Sequence, residues 1–529
     1  MNNISNFVEL KKTNKIWAIG SIHSNLKSFT SIKKFILNNF ETNDKLIFLG
    51  NIIGLGESSK ETLNSVIDLR FNLMSKFKLK SESIIFLRGA QEEMFSKLLQ
   101  LHIAPNPSEI VEWMFDHGVN QTIKSYGFSE EEVKNIASSG TINDAASDTS
   151  IDFVAGSATL KGTSIGNSQP LEFGTVAALD LTASSGSISA NSVAVSGTSL
   201  SASAGSGTIS FENSTGALEV ASLNAGGTTS LTSSGALTQT GPITNNGQSI
   251  TLASGLSNDI TLSNSSNDFG TVSINTANNV ILRDVSGLIL NGITASQVAG
   301  SLTLQTAGGM ALALPAITLG SGDNLAVTAN GAISDSGSLI IPGTTTISAV
   351  GMNVTFDDAS NNFGTIGVTG SNVSVLDSDG IDLGVSTVSG TFGITSGGAI
   401  TDSGTLAITG DATFTNTSGS NDAITLDDAS NAFAGTVTFA TDSGSAVTIV
   451  DTTALDLKAL SAASLSVTAG GAVTDSGTLA ITGATTLNSG SADLTLDQSA
   501  STFGTLAITG ANVAVTENAA MDLGASTIS

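Results

Sequence analysis

From about residue 150 to the end, apolar and polar residues alternate in runs of four to six, and Gly, Asn, Asp and Ser separate the runs. Alternation at period two turns one side of a strand toward a core and the other toward water, and the separators are turn formers. Within 399–470 the pattern predicts eight strands: near Ile400, 406–408, 412–414, 423–426, 436–439, 447–450, 455–457 and 465–467. The segment 1–137 reads differently. Short apolar strands at 17–19, 46–49 and 84–87 alternate with helical patterns over 25–40 and 60–78, where apolar residues recur three and four apart. Strand, helix, strand, helix, strand is the beginning of an α/β layer structure, whose sites lie beyond the strand C-termini.

The strand-rich region is repetitive. Phe-Gly-Thr recurs at Phe173, Phe269, Phe363 and Phe503, with Phe433-Ala434-Gly435-Thr436 as a variant. From Phe269 onward the intervals are roughly 94, 70 and 70 positions. Gly-Ala-Ile-Thr-Asp-Ser-Gly and its variants recur around Asp335, Asp402 and Asp475, and Asp-Leu pairs recur at Asp382, Asp456 and Asp522. A unit of about 70 residues that cannot bury its own inner face needs stacked neighbours. The expected fold is therefore mostly β: a long right-handed parallel β-helix, preceded by the partial α/β domain. Three coils of roughly 23 residues per unit give some seventeen coils and a rod on the order of 80 Å. Tandem β-sandwiches are the rival; they anchor their cores on Trp or Tyr, and neither residue follows Tyr126. The expected organisation is 1–137 for the partial domain, 138–150 for a linker and 151–529 for the solenoid.

Composition sharpens this division. Residues 1–137 carry 16 basic and 15 acidic side chains; residues 138–529 carry 3 and 30, so nearly all of the net charge of −26 lies in the repeats. A polyanion repels nucleic acid and anionic lipid, which excludes both as expected partners. Cysteine is absent, removing disulfides, thiol catalysis and cysteine-bound zinc. No run of eighteen apolar residues suggests a transmembrane helix, and the polar start lacks the apolar stretch of a secretory signal.

Each strand of the first segment is followed by a motif. These read Gly20-Ser21-Ile22-His23-Ser24, then Gly50-Asn51-Ile52-Ile53-Gly54-Leu55-Gly56, then Arg88-Gly89-Ala90-Gln91-Glu92, with Gln121 to Gly127 following. In order, spacing and flanking strands, residues 1–134 resemble the first half of a calcineurin-like metallophosphoesterase of the bacterial Ser/Thr phosphatase and diadenosine tetraphosphatase branch. The resemblance implies a di-metal site, but the family's motif positions are occupied here by Ser21, His23, Asn51, Ala90 and Gln91. Only His23 keeps a metal-ligand type, and Arg88 alone remains of the phosphate-orienting set. Gly54 and Leu55 stand where the family has a second Asp and an Arg, and no histidine follows His117. Neutral side chains cannot offset two divalent ions, so the segment is expected to be a degenerate half domain with no catalytic residue and no cofactor. A divalent metal enters only under the rival reading, a metallophosphoesterase-like hydrolase or phosphate-binding pseudoenzyme. The plainer readings are a loop histidine for His23, a strand-end surface cation for Arg88, structural roles for His102 and His117, and first-turn helix acids for Glu92 and Glu93.

Residues 150–529 resemble the repeat arrays of filamentous-haemagglutinin and autotransporter-type surface proteins. That resemblance implies an adhesin-like, extracellular or cell-surface bacterial protein without enzymatic activity, whose partners are a surface ligand or further copies meeting through solenoid ends. Asp422, Asp427 and Asp428 are candidate calcium ligands; they lack the Gly-Gly-x-Gly-x-Asp nonapeptide of calcium-binding rolls, and turn formation accounts for them. Met521 to Ser529 repeats the mid-unit segment 381–388, so the array is expected to belong to a longer one. The junction near 137 is open to readings as a natural fusion, gene decay or misassembly.

Overall fold

The computed structural model describes residues 13–98, 107–130, 133, 141–144 and 149–529. The chain divides into two compact units, residues 1–148 with 161–169, and residues 149–160 with 170–529. His102 lies outside the described residues.

The first unit holds a three-stranded parallel sheet in the order β1 (Ile16–Ile19), β2 (Lys45–Phe48), β3 (Ile84–Phe86). Two helices make the crossovers: α1 (Leu26–Asn39), capped by the Asn25 side chain on Ser28 N, and α2 (Ser59–Phe77). Val66, Leu69 and Leu73 repeat at helical spacing on α2 and join Phe29 and Ile36 of α1 against Leu46, Phe48 and Ile84. One face of the sheet is thus covered, while the opposite face leaves Ile16 exposed. Three further helices follow: α3 (Ala90–Leu98), α4 (Pro107–Asp116) and α5 (Val119–Ser125). Val111, Met114, Phe115, Val119 and Ile123 form a second small core with Met94 and Phe95.

The second unit is a parallel β-solenoid of about 18 turns beginning at residue 157. At the spacing between hydrogen-bonded strands, it is a rod about 85 Å long. All its strand pairs among the described residues are parallel, which rules out the antiparallel sandwich alternative. A long sheet I includes the strands from Ala178–Ala183 to Thr527–Ile528. Sheet II spans Leu171–Phe173 to Ile289–Leu290, and sheet III takes over from Leu312–Leu314 to Val513–Val515. Along most strands buried and outward residues alternate, as at Thr198–Ala204. Within 399–470 ten strands form, including all eight expected; the additional two are Ala432–Phe433 and Leu460–Ala462. The core also takes more aromatic volume than the composition suggests: Phe414 meets Phe392, Phe433 and Phe439 at ring separations of 5.9, 6.1 and 5.7 Å.

The expected three coils per unit are corrected. Stacked partners range mostly from pairs as close in sequence as Leu455 and Val473 to pairs as far apart as Ala412 and Val437. Asp335 lies in sheet III; three coils later, through Ser334↔Thr355, Thr355↔Ser374 and Val375↔Ile394, the chain crosses and places Asp402 in sheet I. Three coils further, through Thr401↔Thr425, Thr425↔Thr448 and Thr448↔Ser466, Asp475 is back in sheet III. One unit is therefore three and a half coils of about twenty residues each, and successive units set the same motif on opposite sides of the rod. The longer interval, from Phe269 to Phe363, holds one whole coil more: from Asp284 four stacked steps lead to Thr369 in sheet I, and Asp377 follows in sheet III.

Candidate functional site

The loops after β1, β2 and β3 converge, as the spacing of their motifs requires. Ile22 N and His23 N donate to Asn51 O at 3.0 and 2.8 Å, and Ser24 N to Ile52 O at 2.9 Å. The second and third loops approach so closely that side chains are excluded. A Cβ on Gly50, whose φ is +95°, would meet Gly89 N at 2.4 Å, and one on Gly89 would meet Asn51 N at 2.3 Å. His23, Ser24 and Asn51 hold left-handed backbone with φ of 50°, 58° and 52°. Such φ values in non-glycine residues persist only where neighbours over-determine them.

Three of the motif positions come together directly. Asn51 Nδ2 donates to Ser21 Oγ at 3.2 Å, and Asn51 Oδ1 accepts from Gln91 N at 3.0 Å. Gln91, in the first turn of α3 after Ala90, sends its Nε2 to His117 O at 2.7 Å. Ala90 only starts α3, and His23 and Arg88 stand apart from this link. His23 Nδ1 is buried without a hydrogen-bond partner, beside a groove lined by Asn25, Lys27 and Glu57. Arg88 is half-exposed and pairs with Glu93 at 3.1 Å, which is the surface-cation reading. His117 stacks on Trp113 and its Nδ1 meets Trp113 O at 2.6 Å, a structural arrangement.

The residue that organises this cluster is Glu92. Besides lying in the first turn of α3, its carboxylate accepts from Asn51 N, Ile52 N and Gly89 N at 2.8, 2.7 and 2.9 Å, and from Ile53 N at 3.3 Å. Backbone amides of two loops, turned toward one point, form an anion cradle, and the chain fills it with its own acid. The donors left over, a serine hydroxyl and an asparagine already bonded at both ends, do not supply the anionic oxygens two divalent ions require.

The repeats carry their own recurring polar sites. In the stretch Asp-Asp-Ala-Ser-Asn, Asn361 and Asn431 are fully buried. Each Oδ1 accepts a strand-starting amide, Leu339 N or Leu406 N, at 2.7 Å, and each Nδ2 donates to an aspartate one coil earlier, Asp335 or Asp402, at 2.6 Å. Those aspartates also accept from the turn amides of Asp357 and Asp358, or of Asp427 and Asp428. Asp427 and Asp428, two of the calcium candidates, are thus turn residues, and Asp428 Oδ1 itself accepts from Ser430 N at 2.9 Å. Asp422 takes part through its carbonyl, which accepts from Asn416. A second carboxylate recurs beneath four of the five motif phenylalanines: buried Asp284 accepts from Phe269 N and buried Asp377 from Phe363 N at 2.7 Å, buried Asp451 from Phe433 N at 3.4 Å, and half-buried Glu517 from Phe503 N at 3.0 Å.

Burial outweighs these hydrogen bonds at several acids. It pushes Asp377 up to about 6, and raises Asp402, Asp451 and Asp475 as well, although each accepts backbone amides that favour the charged form. At the exposed Asp259 and Asp411 the order reverses: amides of Asn279 and Thr436, respectively, hold them below the usual carboxylate range.

Fold and repeat sites together define a β-solenoid repeat protein whose units are locked across coils by buried carboxylates. The chain belongs to the family of repeats of unknown function DUF5649, which matches residues 204–275, 299–369, 370–440 and 444–509, together a little over half of its length. No curated protein and no solved structure matches it.

Proposed function

We propose that the chain is a non-enzymatic structural repeat protein, an adhesin-like spacer that carries acidic faces outward at a bacterial cell surface. The observation that carries this reading is the use of the repeat's aspartates. They are spent on joining one coil to the next, so what recurs from unit to unit is a device for building length. Outward positions carry Ser, Thr, Asn and Asp, which keep a rod soluble by hydration and self-repulsion, and the resemblance of the repeats to filamentous surface arrays supports a surface location. Electron microscopy of the full chain should show a rod of about 85 Å contributed by the solenoid; compact particles without a rod overturn the proposal. Cleavage by an added protease on intact cells tests the location, and full protection counts against it.

The second reading, a metallophosphoesterase-like hydrolase or phosphate-binding pseudoenzyme in residues 1–134, is favoured by the meeting of Ser21, Asn51 and Gln91 at the strand C-termini. It is opposed by the neutral donor set and by Glu92 filling the amide cradle. Metal content and phosphodiester hydrolysis by the purified chain decide between them. Manganese- or iron-dependent turnover abolished by His23→Ala establishes the hydrolase.

A further inference from the structure

The strands of the first unit's sheet are apolar almost without a break. Ile16–Ile19 reads Ile-Trp-Ala-Ile, and neither Leu46 to Leu49 nor Ile84 to Leu87 contains a polar residue. Continuous apolar runs belong to parallel strands buried on both faces. Here only one face is covered, by α1 and α2. The other carries three rows: Ile16, Lys45 and Ser83; then Ala18, Ile47 and Ile85; then Gly20, Leu49 and Leu87. Ile16, Leu49 and Leu87 are 53%, 50% and 49% exposed, and Ala18 is exposed as well. A Cβ on Gly20 would meet nothing within 4 Å. The bare face is an apolar tile with one cation, Lys45, whose Nζ reaches sideways to Ser83 Oγ at 3.0 Å.

What covers such a tile must be flat, apolar and of similar size. The solenoid strands turn mostly Ser, Thr, Asn and Asp outward, which leaves the tile itself as the matching face. It is self-complementary. With a second copy laid over it, strands antiparallel, Ile16 falls opposite Gly20 and Leu87 opposite Ser83, a large residue against a small one. Ala18, Ile47 and Ile85 meet their own counterparts, and the Lys45 stem lies along Leu49 with its ammonium at the rim. A parallel overlay would set Lys45 on Lys45. Charge permits the approach, since residues 1–137 carry 16 basic and 15 acidic side chains. The tile offers roughly 400 Å² of apolar surface, the size of patch that marks a contact site on a monomer. Two tiles with their polar rims bury on the order of 1,200 Å², the low end of specific interfaces.

We propose that the first unit pairs with a second copy of this chain, the two bare sheet faces packing into a two-layer sandwich about a two-fold axis. An interface of this size gives a dissociation constant on the order of 10 µM.

The test is the mass of the full chain by sedimentation equilibrium from about 1 to about 100 µM, over which the parent should pass from one chain to two. Ala18→Lys sets like charges face to face and should weaken association at least about tenfold, and Ala18→Glu should do the same. Mixing the two variants should restore pairing, because the opposed charges then attract. Ala18 is exposed, so the circular dichroism of both should match the parent. Ala18→Cys adds one small thiol to a cysteine-free chain and keeps the test open should the charged variants misfold. A short bismaleimide should join Ala18→Cys chains at least about tenfold faster than Ser443→Cys chains, altered in an exposed solenoid turn. A parent that stays single up to about 100 µM leaves the tile to another protein and overturns the proposal. So does Ala18→Lys pairing as well as the parent, which places the contact elsewhere. A mixture no tighter than its components, or Ala18→Cys linking no faster than Ser443→Cys, overturns it equally.

Discussion

The last repeat departs from the others at one position, and the departure can be reversed. Where the earlier units have Asn361 and Asn431, this one has Ser501, fully buried, whose Oγ still accepts from Leu479 N at 3.0 Å. A serine does not reach the aspartate: Asp475, 5% exposed, keeps its amide bond from Asp497 N at 2.7 Å, but its Oδ2 is buried without a partner. Ser501→Asn should restore the missing donor, because two fully buried asparagines already fit the same backbone context. A hydrogen bond to a charged group is worth roughly 1.5–3 kcal/mol, and ordering the longer side chain offsets up to about 1 kcal/mol. The expected gain is therefore about 1–2 kcal/mol. Because the effect is local, hydrogen exchange on the segment around residues 473–503 is the sensitive assay. Protection should rise between about fivefold and thirtyfold, roughly tenfold for each 1.4 kcal/mol. In Asn431→Ser the corresponding segment should lose protection by a similar factor. Unchanged or reduced protection in Ser501→Asn refutes the reasoning, since it means that the aspartate already has a donor or that the site has no room.

Further outcomes follow from the same physics. Acids whose folded pKa is raised bind protons more tightly in the native state, so their contribution to stability is complete below their unfolded value near 3.8 and is lost as pH rises through the folded value, about 6 for Asp377. Melting temperature should accordingly rise as pH falls from 7 toward 4.5, and Asp377→Asn should flatten that rise by about 1–2 kcal/mol after allowance for solvent screening; stability falling over this range contradicts the assignment. Phe414→Ala empties the centre of a fully buried ring cluster and should cost about 3–5 kcal/mol, measured as a lower denaturation midpoint. Gly89→Ala forces a methyl against Asn51 N and should destabilise the first unit, seen as increased exchange in residues 50–53 with the solenoid unchanged; parent-like exchange shows that the loops can separate freely.

Period-two alternation was enough to place the eight strands of 399–470, because each buries one row of side chains, and the glycines and asparagines between them mark the corners. Ala432–Phe433 escaped because two residues cannot show an alternation, and Leu460–Ala462 because no Gly, Asn or Asp separates it from the strands on either side. Half-coil phasing was not legible: the repeat interval counts residues, while the sheet a residue joins depends on how many residues each corner consumes. The pairing of Asp402 with Asn431 was hidden for a related reason, as partners so far apart in sequence meet only once the coil length is known. Recurrence of Asp-Asp-Ala-Ser-Asn at 357–361 and 427–431 was the available signal. In the first unit the convergence of Ser21, Asn51 and Gln91 followed from strand-end loops, whereas the grip of Glu92 on four loop amides depends on how two loops turn their backbones, which no residue pattern shows.

A unit of three and a half coils gives the array a phase. Duplicating or deleting one unit carries everything downstream to the opposite flank, whereas changing the array by two units, or by one whole coil as between Phe269 and Phe363, preserves the flank. Arrays of this kind can therefore lengthen silently in some steps and reverse their outward face in others. Parity, more than length, decides which side of the rod a downstream residue presents.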